Sequence, residues 1–269
     1  MIKIGFVKMV ASGNDFIVIK DITGLKAGSL RSLAKEVCAR KYGIGADGML
    51  LLERSRRADI HMRIFNADGS EAEMCGNGAR CVALYLGRKA SSIETRAGII
   101  QAKVIGSQVK IHLTVPEGMK TDIPLYINNR RLKVNFINTG VPHAVIFTEG
   151  LEKINVADIG RQLRFHKYFS PHGTNVDFIE TIGRQSIKIR TYERGVEGET
   201  LACGTGSVAS ALIFALKTGL RAKISVHTAS KEVLFVEFKY TTGGFRDVWL
   251  EGKAWAVFNG CIIIERRRG

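Results

Sequence analysis

The chain has 269 residues, 45% of them apolar, and a formal net charge of +15 at pH 7. This length and apolar content allow a sizeable core in one large domain or two of ordinary size, and no run reaches the roughly 18 apolar residues of a membrane span. Five cysteines without a Cys-x-x-Cys pair or a matched Cys/His spacing argue against a disulfide framework and a zinc site.

The first residues do not form the uninterrupted apolar core of a signal peptide, because Lys3, Lys8 and Asp15 interrupt them. Free thiols are typical of a reducing compartment. We therefore expect a soluble, cytoplasmic protein.

In the first half, apolar patterns predict strands around one helix. The strands are expected at residues 2–10, 16–20, 49–53, 59–65, 93–95, 99–105 and 109–115, and the helix at 30–40. Asn14 lies in the turn of the first hairpin, a position that asparagine favours. The segment Pro116-Glu117-Gly118 is the predicted linker.

Residues 43–48, Gly-Ile-Gly-Ala-Asp-Gly, match the letters of the dinucleotide-binding fingerprint. That fingerprint needs a strand before it and a helix after it, whereas these residues follow a helix and precede a strand. We interpret them as a tight turn.

The second half repeats the order of strands and helices. Strands are expected at residues 132–138, 144–147, 174–180, 186–192, 224–227, 233–240, 248–251 and 254–264, and a short helix at 156–164. The last strand is expected to return to the first domain, and residues 266–268 to fray. His143 follows a proline in a glycine turn, which can aim its ring at a site; a lone histidine is more often a surface or packing residue.

A cysteine motif occurs once in each half. Cys75-Gly-Asn-Gly and Cys203-Gly-Thr-Gly each open an apolar stretch with helical character, and Arg63 and Arg190 stand in strands at matching distances before them. We interpret this as an internal duplication with a cysteine at the start of a helix in each half.

A helix start stabilises a thiolate or a bound anion, because its first N–H groups have no partner within the helix. The pKa of a cysteine there is expected to be low. The alternative is that both cysteines only fill space, as buried cysteines commonly do. Two such thiols predict that one removes a proton from a carbon and the other returns a proton to the opposite face, which inverts the centre.

The net charge of +15 raises a second hypothesis, a nucleic-acid-binding protein. The basic residues are spread along the chain, however, and their short clusters are not interleaved with aromatic residues that stack on bases. A basic solvated surface is the preferred interpretation.

The chain resembles the diaminopimelate epimerase family over nearly its whole length. The resemblance rests on Gly13-Asn14-Asp15-Phe16, residues 63–81, Pro142-His143, residues 173–176 and residues 190–206. It implies an α/β (α+β) fold of two pseudo-symmetric halves, each a curved mixed β-sheet wrapped around a central helix, with the active site in the cleft between them. The expected domains are residues 1–117, with the strand at about 256–269 packing back on them, and residues 118–255.

The resemblance also implies an activity: interconversion of LL- and meso-2,6-diaminopimelate for lysine and peptidoglycan synthesis, without a cofactor or metal. Cys75 and Cys203 are the implied catalytic pair, and His143 and Glu193 the residues that adjust their protonation. The implied substrate-binding residues are Asn14, Asn66, Gly76, Asn77, Asn175, Glu193, Arg194, Gly204 and Thr205. The implied partner is this small molecule, not nucleic acid or membrane, and a homodimer is left open.

The chain departs from the family pattern at three points. Val141 replaces an asparagine that many members have, Gly48 replaces a glutamine of some members, and residues 193–200 hold one extra residue. The first two remove polar contacts to the far end of the substrate. The alternative is therefore a racemase of the same fold acting on another amino acid such as histidine, although Arg194 and the asparagines favour diaminopimelate.

Overall fold

The computed structural model describes residues 2–20, 22 and 29–264, so the predicted fraying at 266–268 lies outside the described residues. The α-helices in this part are α1 (Leu30–Cys38), α2 (Gly76–Tyr85), α3 (Val156–Arg164) and α4 (Gly204–Thr218). The strands are β1 (Ile2–Ala11), β2 (Asn14–Ile19), β3 (Gly48–Glu53), β4 (Ile60–Asn66), β5 (Glu71–Ala72), β6 (Ala90–Thr95), β7 (Gly98–Ile105), β8 (Gln108–His112), β9 (Glu117–Ile127), β10 (Arg130–Asn138), β11 (Pro142–Phe147), β12 (Asn175–Gly183), β13 (Ser186–Glu193), β14 (Gly198–Thr200), β15 (Ile224–His227), β16 (Val233–Thr241), β17 (Gly244–Lys253) and β18 (Trp255–Ile264).

The chain divides into two compact units, unit 1 with residues 1–111 and 252–269, and unit 2 with residues 112–251. In unit 1 the strand order is β18-β1-β2-β3-β4-β6-β7-β8, and β5 pairs with the end of β4. The pairs β2–β3 and β4–β6 are parallel and the others are antiparallel. A parallel pair needs a crossover connection, and here α1 and α2 supply it.

Unit 2 has the same topology. Its strand order is β9-β10-β11-β12-β13-β15-β16-β17, and β14 pairs with the end of β13. The parallel pairs are β11–β12 and β13–β15, at the positions of β2–β3 and β4–β6, and α3 and α4 supply the crossovers. The fold is thus a mixed α/β fold of two similar units, as predicted.

Each mixed sheet has one helix packed against each of its two faces. In unit 2, α4 packs against β10, β11, β12, β13, β15 and β16 and is therefore surrounded by strands. On the other face, α3 packs over a cluster that includes Val176 and Phe178 of β12, and α1 covers Met49 and Leu51 of β3 in unit 1. Side chains alternate along a strand, so the residue between each pair faces the central helix: Leu50 in β3 and Asp177 in β12.

The predicted linker at residues 116–118 was wrong, because Glu117 and Gly118 lie in β9, which the sequence analysis missed. Ile123, Leu125 and Ile127 alternate along β9 and are buried. Asn128 and Asn129, both at positive φ, join β9 to β10 in the two-residue turn typical of hairpins. This Asn-Asn pair was the available sequence signal.

No helix within the described ranges combines the length and apolar character that crossing a membrane requires.

Candidate active site

Cys75 is the N-cap residue of α2. Its backbone is extended, with φ −144° and ψ 116°, and its Sγ accepts a hydrogen bond from the Gly78 N–H over 3.4 Å. A Cβ on Gly78 would lie 3.1 Å from Leu50 Cδ2, so the glycine lets the helix start approach β3 closely. The predicted cysteine at a helix start is therefore present in unit 1.

Two of the predicted asparagines in unit 1 contact each other. Asn77 Nδ2 donates to Asn14 Oδ1 over 2.6 Å, and Asn14 Nδ2 donates to Asp47 Oδ2 over 2.9 Å. Arg80, which is fully buried, donates to Asn77 Oδ1 over 2.7 Å. These bonds join the β1–β2 turn, the residues before β3 and the first turn of α2.

The turn at residues 43–48 lies where the sequence predicted it, between α1 and β3. Asp47 and Asp15 exchange hydrogen bonds between carboxylates and backbone N–H groups, and Arg40 donates to both carboxylates. Burial acts to raise the pKa of Asp15, but hydrogen bonds from Lys8 and Arg40 outweigh it and hold that pKa below its ordinary value. The turn thus positions Asn14.

Asn66 lies at the end of β4, opposite Gly48 at the start of β3. Its Nδ2 donates to Ser70 Oγ over 2.9 Å in the exposed turn that follows. Because β2 and β3 begin and β4 ends at the same edge of the sheet, Asn66 and Asn14 occupy the edge at which α2 starts.

An arginine–glutamate pair joins the two strands that precede each central helix. Arg63 binds Glu71 through two hydrogen bonds of 2.8 and 3.0 Å, and Arg190 binds Glu199 through two of 2.7 Å. A hydrogen bond from Arg63 lowers the pKa of the Glu71 carboxyl. The sequence analysis paired the two arginines by position but missed their acidic partners in β5 and β14.

Cys203 is the N-cap residue of α4 and is buried, with 8% of its surface exposed. Burial raises the pKa of its thiol, and the nearby Glu193 and Asp177 carboxylates act in the same direction. The hydrogen bond between Cys203 and the Thr205 hydroxyl and the one from the Gly206 N–H act to lower the pKa but do not compensate. The expectation of a low pKa at a helix start was therefore wrong for Cys203, because burial without a facing cation favours the neutral thiol.

His143 lies beside this thiol site and is fully buried. Its Nδ1 is 2.7 Å from Asp177 Oδ2, and its Nε2 is 3.0 Å from Thr205 Oγ1. Thr205 Oγ1 is in turn 3.4 Å from Cys203 Sγ. His143 is therefore not a surface residue, and its ring is connected to the thiol of Cys203 through Thr205.

Asn175, Glu193 and Arg194 lie together at the sheet edge of unit 2. Asn175 Oδ1 accepts a hydrogen bond from the Arg194 backbone N–H over 2.9 Å, and its Nδ2 donates to the Pro142 carbonyl over 3.0 Å. Glu193 is half-buried, and burial raises the pKa of its carboxyl. Asn175 thus fixes the backbone from which the Arg194 side chain extends.

Asp177 is the residue of this site that the sequence analysis missed. The available signal was one acidic residue inside the apolar run of β12, whose first five residues are all buried. Within residues 2–20, 22 and 29–264, this site included, no group of three or more His, Cys, Asp or Glu side chains is placed to hold a metal ion.

Solved structures of other proteins share this fold. A phenazine biosynthesis protein of the PhzF family from Bacillus anthracis superimposes with a TM-score of 0.74 at 19% identity, covering 98% of this chain and 100% of that chain. A hydroxyproline epimerase from Agrobacterium vitis superimposes with a TM-score of 0.70 at 16% identity, covering 97% and 91%. The chain therefore has the same fold as these two proteins.

The sequence comparisons define the family more narrowly. The family model for diaminopimelate epimerase matches residues 6–118 and 135–242. Diaminopimelate epimerase of Aquifex aeolicus is 41% identical over 278 residues, 97% of this chain and 98% of that protein, and the enzyme of Methanocella arvoryzae is 39% identical over 98% and 99%. The chain belongs to the diaminopimelate epimerase family and is an isomerase.

Proposed function

We propose that this isomerase interconverts LL- and meso-2,6-diaminopimelate by inverting one α-carbon, with Cys75 and Cys203 as the two groups that transfer the proton. The observation that carries the proposal is the duplication of the thiol site: in each unit a cysteine is the N-cap of the central helix, followed by a glycine. Family membership adds the substrate, because the relatives named above are diaminopimelate epimerases.

In this mechanism one cysteine, as a thiolate, removes the α-proton, and the other, as a thiol, donates a proton to the opposite face. The roles exchange with the direction of the reaction. The intermediate carbanion needs stabilisation by the protein, and the backbone N–H groups of Gly76, Asn77, Gly204 and Thr205 are suited to bind the reacting carboxylate. No pyridoxal phosphate or other cofactor takes part in the proposed reaction.

The far end of the substrate carries an ammonium and a carboxylate that do not react. We assign its recognition to Asn14, Asn66, Asn175, Glu193 and Arg194. The structure supports a role for Arg194, because Asn175 fixes its backbone and, among the described residues, its guanidinium makes one long hydrogen bond, 3.5 Å, to the His172 carbonyl. A planar guanidinium can bind a carboxylate through two hydrogen bonds.

We further propose that the reaction serves lysine and peptidoglycan precursor synthesis in the cytoplasm. None of the five cysteines, all of which lie within the described residues, forms a disulfide bond, which fits a reducing compartment. The two-thiol reaction likewise requires Cys75 and Cys203 in their reduced form.

Proton NMR in D2O tests the proposal. Incubation of LL-2,6-diaminopimelate with the reduced protein should deplete the α-proton signal and produce the meso form. Parallel incubations with L-histidine and L-proline should leave their α-protons in place. If a folded sample with free thiols exchanges histidine and not diaminopimelate, the alternative racemase is correct.

A further inference from the structure

A line of polar side chains, all buried except the half-buried Thr205, runs from the thiol of Cys203 into the core of unit 2. The successive contacts are Cys203 Sγ to Thr205 Oγ1, 3.4 Å, Thr205 Oγ1 to His143 Nε2, 3.0 Å, and His143 Nδ1 to Asp177 Oδ2, 2.7 Å. Thr191 Oγ1 closes the line by donating to Asp177 Oδ1 over 2.8 Å. His143 and Asp177 are both fully buried.

Unit 1 has the same topology without this polar line. Strand pairing places Phe16 opposite Gly48, and His143 opposite Asn175, at the corresponding starts of β2, β3, β11 and β12. Phe16, Leu50 and Ile64 therefore occupy the positions of His143, Asp177 and Thr191. Because the fold forms with apolar residues there, the fold itself does not require a buried carboxylate, which is costly to desolvate.

The donors and acceptors along the line have one consistent assignment while His143 is neutral and Cys203 is a thiol. The Asp177 carboxylate only accepts hydrogen bonds, so His143 carries its proton on Nδ1 and its Nε2 accepts. The Thr205 hydroxyl then donates to Nε2 and has its oxygen free to accept from the Cys203 S–H. In this arrangement one proton can move from the Cys203 thiol to Thr205, and another from Thr205 to His143 Nε2.

We propose that the Thr205 hydroxyl carries the proton of Cys203 to His143, and that Asp177 is the positioning residue that holds the imidazole ready to receive it. The inference rests on the proposed function, since it explains how a thiol becomes the base. The Cys203 S–H bond breaks as a new O–H bond forms on Thr205, and the original Thr205 O–H bond breaks as an N–H bond forms at His143 Nε2. The products are a thiolate and an imidazolium, with no other reactant.

The charges around Cys203 explain why it needs such an acceptor. Asp177 of β12 and Glu193 of β13 place carboxylates near the thiol, and both disfavour a thiolate. The favourable groups are the first N–H groups of α4 and the imidazolium of His143 on β11, once it has formed. Proton transfer to His143 places a positive charge between Asp177 and the new thiolate.

The test compares Thr205→Val, which keeps the shape and the backbone N–H but removes the hydroxyl, with Thr205→Ser, which retains it. Thr218→Val is the matched control, because it removes a hydroxyl from the far end of the same helix, where Thr218 Oγ1 donates to the Phe214 carbonyl. Two quantities are measured for each variant. One is the rate of epimerisation; the other is the rate at which iodoacetamide alkylates Cys203, followed by peptide mass spectrometry with Cys75 as the internal reference.

Thr205→Val should lower kcat about 100-fold, the range of a lost general acid–base contribution, with a change in KM below about threefold. Alkylation of Cys203 should slow by a similar factor while that of Cys75 stays constant, and Thr205→Ser and Thr218→Val should remain within about fivefold of the unchanged protein. If Cys203 of the Thr205→Val variant is alkylated as fast as in the unchanged protein, the proposal is overturned even if kcat falls, because the threonine would then act on the substrate. If the unchanged protein does not turn over diaminopimelate but its Cys203 reacts only with Thr205 intact, the proposed function fails and the proton transfer stands.

Asp177→Asn supplies a second variant, since the amide oxygen can still accept from His143 Nδ1. Without the negative charge the imidazolium is less stable, so the alkylation of Cys203 should require a higher pH and kcat should fall, as when the acid of a Ser-His-Asp triad is replaced by its amide. An unchanged rate–pH profile for Cys203 in a folded Asp177→Asn variant contradicts the role of Asp177.

Discussion

The two helix-start cysteines differ in their surroundings, although their positions in the two units match. Cys75 is half-buried above the apolar Leu50, whereas Cys203 is buried beside the polar residues Thr205, His143 and Asp177. The sequence motif is therefore symmetric, while the environment that governs each thiol's protonation is not.

Replacing either cysteine by serine should remove most of the inversion activity. A serine hydroxyl is a much weaker acid than a thiol, so it cannot become the base at neutral pH, and we expect a loss of at least about 100-fold in kcat for Cys75→Ser and Cys203→Ser. Cys261→Ser is the matched control, because Cys261 is exposed on β18. The measurement is the rate at which meso-diaminopimelate forms. Turnover near the control value in either variant would contradict the assignment of that cysteine as catalytic.

Glu193 should make the protein less stable as pH rises. Burial raises the pKa of its carboxyl above the ordinary value of 4.5, so the folded chain retains this proton where the unfolded chain has released it. The free energy of unfolding therefore falls between pH 4.5 and the raised pKa, and stays lower above it. Glu193→Gln cannot ionise, and urea unfolding should show its stability relative to the unchanged protein increasing from pH 4 to pH 7. A constant difference over that range would show that the folded carboxyl titrates normally.

At the scale of elements, the starts of α2 and α4 tolerate different changes. A Cβ on Gly206 would lie 2.5 Å from Asp177 Oδ1, a buried and hydrogen-bonded carboxylate, whereas a Cβ on Gly78 would lie 3.1 Å from Leu50 Cδ2, a side chain that can shift. A glycine is therefore required more strictly at the third residue of α4, next to the polar line, than at the third residue of α2.

Gly206→Ala should destabilise the protein by about 1–3 kcal/mol, the usual cost of overpacking. Gly78→Ala should stay within about 1 kcal/mol of the unchanged protein, because alanine's higher helix propensity offsets a small shift of Leu50. Urea unfolding of both variants measures the difference, and Gly5→Ala, where a Cβ has no neighbour within 4 Å, is the control. Equal destabilisation at Gly206 and Gly78 would contradict the difference between the two helix starts.

Elements with a local signal could be predicted from the sequence. The helix at residues 156–164 has the predicted bounds, and both central helices begin at the predicted cysteines. In β9, Lys120, Asp122 and Pro124 are residue types that are depleted in strands, and the partner strand of β9 is known only after the Asn-Asn turn is recognised. Asp177 could not be paired with His143 in advance, because the parallel pairing of β11 with β12 brings together residues far apart in the sequence.

At the scale of the whole molecule, the duplication is complete in topology but not in chain order. In unit 2, β10 pairs with β9, which directly precedes it in the chain. In unit 1, the corresponding partner of β1 is β18, from the end of the chain. β18 contributes Ile262 to the core beneath α1, and its Phe258 packs edge-on against Phe6 at a ring-centroid distance of 5.9 Å. Unit 1 is thus complete only when the last strand has joined it.

Truncation after Lys253 should therefore unfold unit 1 selectively. Removing β18 leaves β1 without one of its two hydrogen-bonded neighbours and uncovers Phe6, whose ring packs so close to Gly260 that a Cβ there would lie 2.7 Å from it. Hydrogen exchange followed by mass spectrometry should show rapid exchange in β1, β2 and α1. The amides of α4 and β13 serve as the internal reference and should retain their protection, because their partners all lie within residues 112–251. Full protection of β1 in the truncated chain would show that unit 1 folds without its last strand, and loss of protection throughout would show that the two units do not unfold separately.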